Sequence, residues 1–144
     1  MMKADKAEEC FRSGFSCSQS VLSVYSEEFG IDRELALRLS CGFGAGIGRT
    51  GNICGAVSGA VLVIGLKYGR VNPSDYPSRD KTYALVQQFI AEFRARHGSI
   101  NCTELLGHTL SNPEDYEQAR KENLFTKLCP ALTRDSVEIL ERIL

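Results

Sequence analysis

Six cysteines, Cys10, Cys17, Cys41, Cys54, Cys102 and Cys129, stand beside only two histidines and no tryptophan in a chain of 144 residues. Thiols offer two kinds of chemistry: exchange with disulfides and ligation of metal ions. In both the reactive species is the thiolate. The spacing narrows the choice. No two cysteines are separated by two residues. A thioredoxin-type motif, a zinc ribbon, the usual ferredoxin runs and covalent c-type haem attachment all need that spacing. A dispersed four-cysteine site stays open, beside the reading of buried cysteines as small packed hydrophobes. His97 and His108 read as surface histidines, and no Ser-His-Asp set is present.

The elements that must position these thiols are helical, because apolar residues recur at helical spacing and no run alternates with period 2. One helix is expected over about Lys3 to Arg12. A second starts at Ser16, where Ser16-x-x-Gln19 is a capping box, and carries Val21, Leu22, Tyr25 and Phe29 up to Gly30. Asp32 caps a third, which runs through Leu35, Ala36 and Leu39. A fourth, from about 53 to 68, has Asn52 as its cap and is apolar all round, as a buried central helix must be. The four-residue spacing of Gly51, Gly55 and Gly59 predicts close approach of another backbone. Val71 to Arg79, with two prolines, reads as a loop. A fifth helix follows over about Asp80 to His97, with Tyr83, Val86, Phe89, Ile90 and Phe93 on one face. Two shorter helices are expected from Asn101 to Gly107 and from Asn112 to Asn123. A last one begins with Pro130 at its first position and carries Val137, Leu140 and Leu144. The fold class is therefore all-α: a single-domain bundle of six to eight helices over residues 1–144.

Helix starts and cysteines coincide. Cys17 follows Ser16, Cys54 follows Asn52 by two residues, Cys102 follows Asn101, and Cys129 precedes Pro130. First-turn amides and the positive end of the helix dipole favour an anion, so these four thiols are expected to ionise more readily than usual. Cys10 and Cys41 fit packing roles instead. Gly44, Gly46, Gly48 and Gly51 lie in a glycine-rich loop that a regular helix cannot accommodate. They are candidates for bringing backbone amides close to a site, or a cofactor, near Cys54. Gly46-x-Gly48-x-x-Gly51 matches the dinucleotide fingerprint formally, but a helix precedes it where that fingerprint needs a strand.

Phe15 to Leu22, Gly42 to Gly48, Cys54 to Ala60, Ile100 to Gly107 and Cys129 together resemble the C_GCAxxG_C_C family. The central motif reads Cys-Gly-Ala-Val-Ser-Gly here against Gly-Cys-Ala-x-x-Gly in the family label. The resemblance implies cysteine redox chemistry, and by position its four cysteines fall on Cys17, Cys54, Cys102 and Cys129. It also implies company with haem or iron–sulfur centres in some relatives.

Seventeen Lys and Arg against eighteen Asp and Glu leave a net charge of −1. That balance argues against nucleic acid or an anionic membrane as partners. The N-terminus lacks an apolar signal region, and the longest apolar run is too short to span a bilayer. The expected location is cytoplasmic, where thiols are kept reduced. Three functions follow as expectations. The first is a thiol-based oxidoreductase or electron-transfer protein that cycles Cys17, Cys54, Cys102 and Cys129 with a redox partner protein. In the second, the same four cysteines hold an iron–sulfur cluster or zinc. The third is a non-redox helical interaction domain. An exposed apolar helix face would serve a homodimer.

Overall fold

Local signals start most of the helices. Ser16 and Gln19 form the expected reciprocal capping box at the head of α2 (Cys17–Ser26), which follows α1 (Lys3–Arg12). Asp32 caps α3 (Arg33–Cys41) by accepting from the Leu35 amide at 2.7 Å. The remaining elements of the computed structural model, which describes residues 1–144, are α4 (Gly44–Ile47), α5 (Gly55–Tyr68), α6 (Tyr76–His97), α7 (Cys102–Leu106), α8 (Pro113–Lys121) and α9 (Leu124–Ile143). The chain is all-helical and contains no strand, only an isolated antiparallel bridge between Ile53 and Asn101. Since α4 is a single turn with left-handed residues inside it, eight true helices remain.

Helix α5 is the buried centre. Ala56, Val57, Ala60, Val63 and Ile64 are all inaccessible or nearly so. It packs against α2 through glycine. A Cβ on Gly59 would sit 3.0 Å from the Ser18 carbonyl oxygen and the Val21 Cβ, and one on Gly55 would sit 3.0 Å from the Ser18 amide. Gly51 lies outside the helix and faces Thr103 instead. Helix α9 closes the bundle. Tyr25 donates to Glu141 at 2.7 Å, Ser136 donates to the Ala56 carbonyl at 2.8 Å, and Arg134 pairs with Asp5 and Glu8 of α1. The buried apolar residues of all these helices form one continuous cluster.

Four expectations about the elements are corrected. Helix α6 begins at Tyr76 rather than Asp80, because Asp75 caps it by accepting from the Ser78 amide and Pro77 falls in the first turn, where no amide is needed. Helix α5 begins at Gly55, so Cys54 is its N-cap and Ile53 belongs to the bridge. Helix α9 begins at Leu124 and carries Pro130 in its interior, so Cys129 is not a helix start. The missing Pro130 amide costs one helical hydrogen bond; burial of Cys129, Pro130, Leu132 and Thr133 along the same face offsets it. On α3 only Ala36 and Ser40 are buried, while Leu35 and Leu39 face outward.

Candidate functional site

Five cysteines line one cavity of about 410 Å³ at the end of the bundle where α2 and α5 begin, and four of them, far apart in sequence, are buried there. Cys17 is the first residue of α2, Cys54 caps α5, Cys102 is the first residue of α7, and Cys129 reaches in from α9. These four are free thiols, and each is at most 9% exposed. Two short segments fix Cys54 and Cys102 relative to one another. The Cys54 amide donates to the Ile100 carbonyl at 2.7 Å, and the Cys102 amide donates to the Asn52 carbonyl at 2.7 Å, on either side of the Ile53–Asn101 bridge. Thr103 extends the zipper by donating its hydroxyl to the Gly51 carbonyl at 2.9 Å.

Cys17 adjoins both Cys129 and Cys54, and Cys54 in turn adjoins Cys102. Cys129 raises the pKa of Cys17 most, Cys54 pulls the other way, and burial adds to the rise; the net result is a thiol well above its ordinary range. Cys54 is raised by Cys17 and by burial, against the amides of Ala56 and Val57, which point at it and favour the anion. Cys102 is pushed up to about 12, by burial first and by Cys54 second. This corrects the expectation of readily ionised thiols. First-turn amides are present, but desolvation and adjacent thiols outweigh them, so these three cysteines are protonated at neutral pH.

The glycine-rich loop forms one wall, in an unusual conformation. Ala45, Gly46, Ile47, Gly48 and Arg49 all have φ between 55° and 69°, giving a left-handed turn. Three of them carry side chains, and Ile47 is β-branched, a residue rarely found there. The turn is held by the Gly46 carbonyl, which accepts from the Asn52 amide at 2.8 Å, and by the Thr50 hydroxyl, 2.7 Å from the carbonyls of Gly46 and Ile47. Of the four candidate glycines only Gly46 borders the cavity. A Cβ there would lie 2.7 Å from the Cys102 Cβ. Gly44 instead lets the loop close on Ser16, Gly51 makes room for Thr103, and Gly48 lies outside the cavity.

The chain matches the model of the family described as "Putative redox-active protein (C_GCAxxG_C_C)" over residues 15–143. The chain belongs to the C_GCAxxG_C_C family. No curated protein and no solved structure matches it. All five cysteines that line the cavity lie inside the span matched to the C_GCAxxG_C_C family, and Cys10 lies outside it.

Cys10 behaves as expected of a structural thiol: it is half-buried, with its sulfur 3.7 Å from the Ser23 hydroxyl. Cys41 does not, since it is exposed and borders the mouth of the cavity. Two further residues had no sequence signal. Arg49 borders the cavity with its guanidinium 4.2 Å from the centre of the Tyr116 ring. Thr133, one turn beyond Cys129, is fully buried, and its hydroxyl has no hydrogen-bond partner while favouring the Cys17 anion. No three His, Cys, Asp or Glu side chains form a group able to hold a metal ion. No helix is long and apolar enough to cross a membrane.

Proposed function

We propose that the protein is a thiol–disulfide redox protein in which Cys17 forms a reversible bridge with Cys54 or Cys129, with Cys102 adjoining the pair through Cys54. The convergence of four remote cysteines on one small cavity, with Cys17 coupled to two of them, supports this reading. On oxidation the two thiols lose two electrons and two protons and gain an S–S bond. A disulfide acceptor takes up both electrons and both protons and leaves as two thiols. The family's description agrees with redox activity and leaves the partner open.

Thiol counting under reducing and oxidising conditions, followed by peptide mapping, tests the proposal. The expected result is loss of two or four free thiols in bridges that include Cys17. Six free thiols after oxidation, or bridges that never involve Cys17, would overturn it. Metal analysis after anaerobic purification belongs to the same experiment: iron with acid-labile sulfide, or one equivalent of zinc, would replace the thiol–disulfide reading with a metal-binding one.

A further inference from the structure

A cluster of buried thiols raises the question of what reaches it. The cavity is roomy enough for a small organic molecule. Its walls are largely aromatic and aliphatic, with Phe11, Phe15, Leu105 and Phe125 among them. Gln19, one of its few polar side chains, is engaged with the Leu37 carbonyl at 3.0 Å. Arg49 is the one ionised side chain on the lining. It stacks on Tyr116, and no carboxylate lies within ion-pair distance of it. A solvent-exposed guanidinium at the rim of an apolar cavity, with no carboxylate paired to it, is complementary to an organic anion. Stacking pre-orients its planar fork, leaving the donors free to take a carboxylate or sulfonate.

We propose that the cavity binds a small organic disulfide bearing a carboxylate or sulfonate, with Arg49 holding the anion and the S–S bond presented to the Cys17 cluster. This rests on the thiol–disulfide reading and names its substrate class. The Cys17 thiolate, a minor form of this raised thiol at neutral pH, attacks one sulfur of R–S–S–R. The old S–S bond breaks, R–S⁻ leaves and takes up the proton released by Cys17, and a mixed disulfide remains. Cys54 or Cys129 then attacks the Cys17 sulfur and expels the second R–S⁻, which takes up that cysteine's proton. Two protein thiols become one bridge, and one substrate disulfide becomes two thiols.

Two aromatic disulfides of different charge test this in the reduced protein carrying Cys10→Ser and Cys41→Ser: the dianion 5,5′-dithiobis(2-nitrobenzoate) and the neutral 4,4′-dithiodipyridine. In Arg49→Met the ratio of the two rate constants should shift roughly tenfold against the dianion, the size of a lost charge-assisted hydrogen bond. Arg49→Lys should recover part of it. A second arm needs no redox step: calorimetry with 2-naphthoate and 2-naphthamide should show tighter binding of the carboxylate, and Arg49→Met should abolish that preference. An unchanged rate ratio, or equal binding of the two naphthalenes by the unsubstituted protein, would overturn the anion assignment. Naphthoate preference without any bridge through Cys17 would instead sink the redox reading and leave the anion site standing.

Discussion

At the scale of single residues, the site is governed by the cost of charging sulfur in a dry place. Cys102 is held up at about 12 chiefly by burial, so its proton leaves only in strong alkali. A group whose folded pKa is raised stabilises the fold fully below its unfolded value, near 8.5 to 9, and loses that contribution as pH rises through the folded value. The reduced protein should therefore lose stability between about pH 9 and 12. Urea midpoints measured in reductant across that range should fall less steeply for Cys102→Ala than for the unsubstituted chain; parallel slopes would refute the assignment. The helix-start placement of Cys17 and Cys102 was legible from sequence because Ser16 and Asn101 mark helix starts beside them. The same rule points to Cys129 for a wrong local reason: Pro130 imitates a first helical residue but sits inside α9. The ease of ionisation inferred from those positions failed because a helix start says nothing of how deeply its first residue is buried.

Helices and turns set the distances between the sulfurs. The approach of α2 to α5 was visible in Gly55 and Gly59, since only a missing side chain allows such contact. The Ile53–Asn101 bridge that clamps Cys54 to Cys102 was not visible, because a single bridge is too short to alternate. The left-handed turn announced itself only as a run of glycines. Nothing in Ala45, Ile47 or Arg49 signals positive φ; the surrounding hydrogen bonds impose it. Two glycines in that turn make a matched test. Gly46→Ala places a Cβ against Cys102 and the Asn52 amide at 2.7 Å, whereas at Gly48, also left-handed, the nearest atom is 3.9 Å away. Gly48→Ala should cost about 1 kcal/mol from backbone strain, and Gly46→Ala a further 1–3 kcal/mol from overpacking. Only Gly46→Ala should change the alkylation rate of Cys102. Chemical denaturation and mass-resolved labelling check both, and equal effects would show that Gly46 does not cover that thiol.

Across the whole molecule, helical periodicity was enough to specify an all-helical bundle with α5 at its centre, because burial of most of α5 leaves a run that is apolar from Gly59 to Leu66 and carries only Ser58 before it. The cavity was not readable, since it lies between the starts of α2, α5 and α7 and the side of α9, and no single helix encodes such a space. Oxidation should act on the entire fold. A bridge from Cys17 to Cys54 or Cys129 ties distant parts of the chain together and restricts the unfolded ensemble by about 3–5 kcal/mol. The thermal midpoint should accordingly be higher in the oxidised protein, and a midpoint unmoved by the thiol state would count against either bridge. One last consequence follows from the turn that carries Arg49. Its backbone, at φ 68°, is one that glycine adopts freely and arginine does not. Stability and selectivity therefore pull in opposite directions at this position: drift to glycine would be rewarded by a firmer fold and punished by an indiscriminate pocket. The strained arginine is thus a trade-off that random substitution would tend to erase unless charge recognition is under selection.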